Sequence, residues 1–258
     1  MNEANIQQQK SAISTYTMVD VFKFILAFGV VAIHTRVPVN AKYPLIIHYL
    51  INLAVPFFFM ASGFLIARRI QPSQQGQSKA YAKKSLKFLK LFLIWAAIYL
   101  PCCCFYYMTK SGDPWWRDAA SFVKRLITSG DLPYAWPLWY LHGAFVALLL
   151  IALMKRIKFH DIVIWMIGIG LLLFSAIYEN SDHRAWPSGF VAIMNVYDAI
   201  FKTFRNGIFW GIAFVSTGII TERYLKTAHP LIGLALVIAG YGLEYAGLPL
   251  AHLAGAWG

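Results

Sequence analysis

Residues 20–67 form an apolar stretch that carries the ionisable Lys23 and His34 within its first part, and this limits the possible folds more than any other feature. The stretch consists of two apolar runs joined by a short polar break, and each run is about as long as the 20 residues with which a helix crosses a bilayer. Lys23 and His34 belong to the first run. An ionisable group at that depth is costly and usually faces the protein interior or water. At 100° per residue the two return to within about 20° of one helix face, about 16 Å apart along the axis. The pattern predicts a membrane helix with a polar path along one face.

The composition extends this prediction to the whole chain. Of the 258 residues, 59% are hydrophobic and 13% are charged, whereas a soluble domain carries about a quarter charged residues. One soluble core of this size would not hide so much apolar surface. The sequence therefore predicts an all-α, polytopic integral membrane protein, a helical bundle of about seven transmembrane helices plus one amphipathic helix. The expected spans are 19–37, 45–67, 86–108, 136–154, 162–178, 207–220 and 230–250.

The amphipathic helix is expected between the fifth and sixth spans, over residues 189–204. Apolar residues recur there at helical spacing, while Asn195, Asp198 and Lys202 fall on the opposite face. Such a helix lies on the membrane surface or covers a cavity.

The positions of the charges indicate an orientation. The net charge of +12 does not indicate a nucleic-acid partner, because the basic residues are concentrated in the segments that alternate spans would place on one side, as the positive-inside rule describes. We therefore expect a multi-pass membrane protein with a polar, cytoplasmic N-terminal tail at 1–17 and a single transmembrane domain at 18–258. The three cysteines are consecutive, Cys102 to Cys104, which suits small packing residues better than a disulfide or a metal site.

Two motifs in this order carry a family resemblance. In the first motif a basic residue (Lys23) is followed by ten residues and then a histidine (His34). In the second motif the second apolar run ends in FFFMASGFLI at 57–66. Together they resemble the acyltransferase-3 family, which commonly has arginine at the position of Lys23. The resemblance covers residues 18 to about 225, and we expect the chain to lack the last C-terminal spans of that family.

The resemblance implies a function. Family members move an acyl group, often acetyl, from coenzyme A to a hydroxyl of a carbohydrate or cell-envelope acceptor. The expected partners are therefore the lipid bilayer, acetyl-CoA or another acyl-CoA as donor, and a carbohydrate or envelope acceptor. No metal is expected, and the oligomeric state is left open.

His34 is the candidate catalytic residue, as a general base for the acceptor hydroxyl; the alternative is an ordinary interfacial histidine. Lys23 is a candidate donor-binding residue that pairs with Asp20, or a lysine that reaches the cytoplasmic interface. Ser62 has no base beside it and is expected to serve packing.

Two lysines of the basic segment at 78–90 are further candidates for donor binding. Lys84 and Lys87 match a pair of arginines that the family places just before its third span, and cations there suit the phosphates of coenzyme A. Lys87 with Lys90 is an equally good register, and lipid contact alone also explains a basic segment at this position.

Three residues on the outer side are candidates for acceptor binding. Arg36 lies beside His34, His142 follows a Pro-Leu-Trp-Tyr sequence that resembles the start of the fourth span of the family, and Arg205 opens an Arg-Asn-Gly sequence seen in a branch of it. Ordinary interface charge is the alternative for Arg36 and Arg205. The rival functions are a small-molecule transporter or export component, since intramembrane charges also line permeation paths, and a truncated, inactive relative.

Overall fold

The described residues of this chain, 17–34, 45–70 and 76–225 of a computed structural model, fold into helices and contain no β-strand. The all-helical prediction is confirmed for them. Their eight α-helices are α1 (Thr17–His34), α2 (Leu45–Arg69), α3 (Gln77–Tyr106), α4 (Trp115–Thr128), α5 (Trp139–Arg156), α6 (Asp161–Asn180), α7 (Ser188–Phe201) and α8 (Ile212–Ile220). Shorter turns of 3₁₀-helix at Trp136–Leu138 and His183–Ala185, and of π-helix at Tyr107–Ser111, Gly207–Gly211 and Thr221–Leu225, extend or link them.

Three helical segments in the described part of the chain have the length and apolar character to cross a membrane. They are Gln77–Ser111, Trp136–Arg156 and Asp161–Glu179. Helices also occupy the first, second and sixth predicted spans, while the seventh, 230–250, lies outside the described residues. The structure thus supports a membrane protein with several spans, and the expected number of seven is not confirmed.

Contacts between the helices define two ends of the bundle. Helices α3 and α5 run antiparallel, because Ser85 donates to the carbonyl of Phe145 at 2.8 Å while Cys103, farther along α3, donates to that of Pro133 at 3.2 Å. Helices α1, α3 and α6 finish at the end where α5 and α8 begin. We call it the His34 end, and the opposite one the Asp161 end.

Glycines allow α2 and α8 to cross in contact. A Cβ atom on Gly63 would lie 2.0 Å from the carbonyl oxygen of Val215, and one on Gly218 would lie 2.0 Å from that of Met60. Because backbone cannot yield at such a distance, only glycine fits at either position. Small residues let membrane helices approach closely in this way.

The surface of the bundle is unusually apolar for a protein in water. Phe24, Phe28, Phe105 and Met166 are each more than 60% exposed, and their helices carry further exposed leucines and isoleucines. The buried core lies inside, around Phe59, Tyr81, Leu148, Ile151 and Val215. Apolar residues outside as well as inside are expected when lipid is the solvent.

Two predicted boundaries differ clearly from the structure, and one helix was missed. Helix α3 begins at Gln77 rather than 86, so the lysine-rich segment is helical. Helix α7 ends at Phe201, three residues early, because Lys202 adopts a left-handed conformation with φ 61°. Helix α4 was not predicted at all, because charged residues interrupt its apolar ones; its signal is the spacing of Ala119, Phe122 and Leu126 along one face.

Candidate active site

His34 is the last residue of α1, and its side chain lines a cavity at the His34 end of the bundle. The cavity has a volume of about 260 Å³. The imidazole is exposed, and its ring centre lies 6.4 Å from that of Trp136 in an edge-on arrangement. Val30, one turn earlier, and Val55 of α2 line the wall on either side. The candidate base therefore faces a space in which a small substrate fits.

Arg205 also lines this cavity. Its guanidinium lies 5.8 Å from the ring centre of Trp210, a cation–π contact. Partial burial lowers the pKa of Arg205, while the charge of Glu179 raises it; a guanidinium remains protonated under all physiological conditions. Two residues far apart in sequence, predicted separately for base and acceptor contact, thus meet at one cavity.

The sequence Arg205-Asn206-Gly207 explains how this cation is positioned. The buried side chain of Asn206 accepts from the backbone N–H of Ile208 and Phe209, at 2.9 and 3.2 Å, and so caps the helical segment that leads into α8. Gly207 lies against α5, where a Cβ atom would be 2.5 Å from the carbonyl of Gly143. With its neighbours held in this way, Arg205 projects into the cavity.

Tyr197 of α7 secures the same turn from outside. Its hydroxyl donates to the carbonyl of Thr203 at 3.1 Å and accepts from the amide of Asn206. Burial raises the pKa of Tyr197 to about 12, so the hydroxyl stays protonated and can donate. The predicted amphipathic helix, α7, therefore stabilises the turn next to Arg205 through the side chain of Tyr197.

Asp131 contributes a negative charge to the cavity wall. Arg125 of α4 binds both its carboxylate and its backbone carbonyl, each at 3.3 Å. The sequence analysis gave Asp131 no role. The cavity therefore presents a carboxylate, a guanidinium and an imidazole to a small polar molecule, with the tryptophans Trp136, Trp139 and Trp210 as apolar walls.

A second cavity of about 240 Å³ runs from His34 along α1. Ala27, Val30 and His34 line it on the α1 side, at intervals of three and four residues that belong to one helix face. Lys23 lies on the same face one turn further, and its ammonium pairs with Asp20 at 3.1 Å, as predicted. The face of α1 that carries Lys23 and His34 therefore lines the second cavity from Ala27 to His34.

Across this second cavity, Tyr140 closes the far wall. Its hydroxyl donates to the carbonyl of Phe58 at 3.2 Å and lies 2.8 Å from the hydroxyl of Ser62. Ser62 is thus committed to a contact between α2 and α5, in agreement with its predicted structural role.

Lys84 and Lys87 lie toward the Asp161 end, one turn apart on α3. Lys87 is exposed and Lys84 is half-buried. The charges of Arg69, Lys83 and Lys87 all act on Lys84, so the structure adds Arg69, from the end of α2, to the basic group. The predicted donor-binding and acceptor-binding residues therefore lie at opposite ends of the bundle.

His142 is placed away from the cavity. It is 4% exposed, its Nε2 lies 3.0 Å from the carbonyl of Ile127, and its ring packs on Phe92. This placement favours a structural link between α5 and the end of α4 over contact with an acceptor. Arg36, the remaining candidate, lies outside the described residues.

Sequence reasoning missed a buried charge cluster at the Asp161 end. Asp161, 5% exposed, binds the ammonium of Lys155 at 2.7 Å and also contacts the guanidinium of Arg223. Arg223 reaches the hydroxyl of Tyr81 and the carbonyl of Ile70 as well, each at 3.5 Å. An acidic residue at the start of a span, on the side where basic residues predominate, was the available signal.

Comparison with known proteins supports the resemblance on which these assignments were based. Residues 17–257 match the family described as "Acyltransferase domain", so the match continues well beyond residue 225, where we expected it to end. The chain is similar to a serine/alanine racemase of Enterococcus gallinarum, 26% identical over 216 residues, and to an amino-acid racemase of Enterococcus faecalis, 27% identical over 226 residues. These alignments cover 80% and 82% of this chain but 29% of each relative. No solved structure matches it significantly. Since the family match spans nearly the whole chain, this protein belongs to the acyltransferase-3 family.

Proposed function

We propose that this protein transfers an acetyl or other short acyl group from coenzyme A to a hydroxyl of a carbohydrate or cell-envelope acceptor. The observation that carries the proposal is the position of His34, which faces a cavity that Arg205 also lines. Membership of an acyltransferase family supports the reaction class, and the polar groups among tryptophans suit a carbohydrate.

In the proposed step His34 acts as a general base. Its imidazole takes the proton of the acceptor hydroxyl as the oxygen attacks the thioester carbonyl, and the carbon–sulfur bond then breaks. The proton passes from His34 to the departing thiolate, so no further reactant is needed. Arg205 orients the acceptor or stabilises the oxyanion, as a fixed cation does where negative charge develops.

For the donor we propose that Lys84 and Lys87, with Arg69, bind the phosphates of coenzyme A at the Asp161 end. The second cavity follows the α1 face from His34 toward Lys23, and this supports delivery of the thioester along that face. We further propose that the N-terminus is cytoplasmic and the membrane is the bacterial inner membrane, so that the Asp161 end meets the cytosolic pool of acyl-CoA.

The test is His34→Gln, which keeps much of the size and hydrogen bonding of the side chain but cannot accept the proton. Because a positioned base contributes about 10²–10⁴-fold, transfer of labelled acetyl from acetyl-CoA to envelope material should fall by that factor in membranes that carry the variant. His160→Asn is the matched control, since His160 is an exposed helix-capping histidine at the other end and asparagine also caps. Near-normal transfer by His34→Gln would rule out the base assignment.

The second candidate function is transport of a small zwitterion, with the same cavity as its binding site. Two observations favour it: both curated relatives are named as racemases, one of them for serine and alanine, and the cavity offers Arg205 to a carboxylate and Asp131 to an ammonium. Uptake of labelled serine into proteoliposomes separates the two candidates. Uptake that survives His34→Gln, without any acyl transfer, would favour transport.

A further inference from the structure

A small cleft with basic walls lies between α4 and the end of α7. Its volume is about 120 Å³, which is enough for a phosphate but not for a sugar. Lys124 and Arg125 line it from α4, and Lys202 lines it from the first residue after α7. Hydroxyl groups on both sides, among them Ser121 and Thr203, add polar contacts to the walls.

The charges of this cleft are unbalanced. Asp131 is the one carboxylate among the described residues that line it, and Arg125 already binds it at 3.3 Å. Lys124 donates to the carbonyl of Ala199, which does not neutralise the ammonium. Lys202 makes no ion pair with any described residue. Within the described part of the chain, two positive charges therefore remain without a counterion, which suits an anion with several acceptor oxygens.

Lys202 is held in place by its backbone. It adopts φ 61° at the end of α7, a left-handed conformation that is uncommon for a residue with a side chain. Its backbone N–H still bonds to the carbonyl of Asp198 at 3.0 Å, which fixes the turn. The side chain is thereby directed toward α4 instead of continuing the helical course.

The cleft adjoins the cavity of His34. Ser129, Asp131 and Thr203 line both, so a phosphate in the cleft would lie next to that cavity. Around the cleft, α4 and α7 expose large apolar side chains, including Trp115, Ile127, Ile193 and Val196, each more than 60% exposed. Amphipathic helices of this kind lie in the interface of a membrane, at the depth of lipid headgroups.

We propose that the cleft between α4 and α7 binds the phosphate of the acyl acceptor, so that the acceptor is a phosphate-bearing carbohydrate, soluble or lipid-linked. This assignment rests on the proposed function, because it places the phosphate beside the cavity in which His34 meets the hydroxyl. The binding itself requires no chemistry and can be measured alone.

The experiment is calorimetric titration of the purified full chain in a neutral detergent with two probes. One probe is glycerol 1-phosphate, and the other is dihexanoyl phosphatidic acid, which carries the same phosphate on a short lipid. The variant is Lys124→Gln with Lys202→Gln. Its matched control is Lys110→Gln with Lys158→Gln, because both lysines are exposed and Lys158 shares the left-handed backbone, with φ 65°.

We expect the wild type and the control to bind at least one probe. The variant should bind it about tenfold or more weakly, since it lacks two charged hydrogen-bond donors to the phosphate. Lys202→Gln alone should also weaken the binding of the probe. Because this side chain is exposed, the single variant is expected to fold normally and so separates a loss of binding from misfolding of the double variant. Tighter binding of phosphatidic acid would identify a lipid-linked source, and equal binding a soluble one.

Two results would overturn the assignment: no binding of either probe by the wild type, or equal binding by the variant and the control. His34→Ala should bind the probes as the wild type does. A loss of acyl transfer in that variant with intact phosphate binding therefore tests the proposed function separately from the cleft.

Discussion

Ionisable side chains are found at both ends of this bundle, but the two ends use them in opposite ways. At the Asp161 end, Lys155 and Asp161 lie 2.7 Å apart with side chains that are 9% and 6% exposed, and Arg223 completes the cluster. At the His34 end, His34, Arg205 and Asp131 line an open cavity. At the first end the charged side chains are buried and paired with one another. At the second end they border an open cavity, and one of them, Asp131, is also bound by Arg125.

This difference bears on how charged residues in a membrane protein are interpreted. A buried charge without a partner is very unfavourable, so any such residue either pairs with another or faces water. The Asp161 cluster joins the α2–α3 and α5–α6 connections to the end of α8, and in this way fixes the helices.

The largest expected loss of stability comes from Asp161→Asn, a substitution at the end where the charges are paired. The substitution keeps the shape of the side chain but leaves two buried cations without a counterion, and breaking a buried pair costs about 3–5 kcal/mol. We expect the free energy of unfolding to fall by that amount, measured by denaturant titration in mixed micelles. Asp113→Asn is the control, since its pair with Arg117 is exposed at 54% and 61% and such pairs contribute about 0–1 kcal/mol. Equal losses in both variants would contradict the structural role of the cluster.

The next largest effect is expected at the close contact between α2 and α8. Gly63→Ala would place a methyl group against the carbonyl of Val215, and α2 and α8 would have to separate. Overpacking of this kind costs about 1–3 kcal/mol. Gly170→Ala is the matched control, because a Cβ atom there meets nothing within 4 Å and alanine favours the helix. The midpoint of thermal unfolding should fall for the first variant and stay level or rise for the second.

The sequence was sufficient for the class of the fold and for part of the site. Apolar runs and their lengths predicted the helices, since that signal is local. The spacing of Lys23 and His34 predicted a shared face, and the structure places Ala27 and Val30 on that face beside a cavity. The membership of the family was also predicted from two short motifs.

The rest depended on contacts between distant residues. Asp131 lines one cavity together with His34 and Arg205, and Asp161 contacts Arg223 after the end of α8. The sequence around either aspartate does not reveal these distant partners. His142 is the opposite case: its neighbours resemble a family motif, but its side chain is buried between α5, Phe92 of α3 and Ile127 of α4. Apolar runs also did not predict α4, because charged residues separate the apolar residues of its inner face along the sequence.

A smaller effect is expected from Arg205→Lys at the cavity. Lysine keeps the charge but loses the planar fork and the contact of the guanidinium with Trp210. If Arg205 positions the acceptor, its KM should rise about tenfold, in line with the roughly 1.4 kcal/mol that one such interaction contributes, while the unfolding free energy stays near that of the wild type. Arg184→Lys, at an exposed position next to α6, should leave both quantities unchanged. A fall in stability without a change in KM would place Arg205 with the structural charges of the other end.

The smallest loss of stability is expected from Asp20→Asn. Together with Asp161→Asn, this variant shows whether burial or the distance between the charged atoms determines how much an ion pair stabilises the bundle. Asp20 binds Lys23 at 3.1 Å, a separation close to that between Asp161 and Lys155. However, the side chains of Asp20 and Lys23 are 64% and 31% exposed, so water solvates whichever charge is left. Exposed pairs contribute about 0–1 kcal/mol, and we expect a loss of unfolding free energy within that range, against about 3–5 kcal/mol for Asp161→Asn. Denaturant titrations of both variants in the same micelles make the comparison. A loss for Asp20→Asn as large as that for Asp161→Asn would mean that contact distance, and not burial, determines which charges of this bundle are structural.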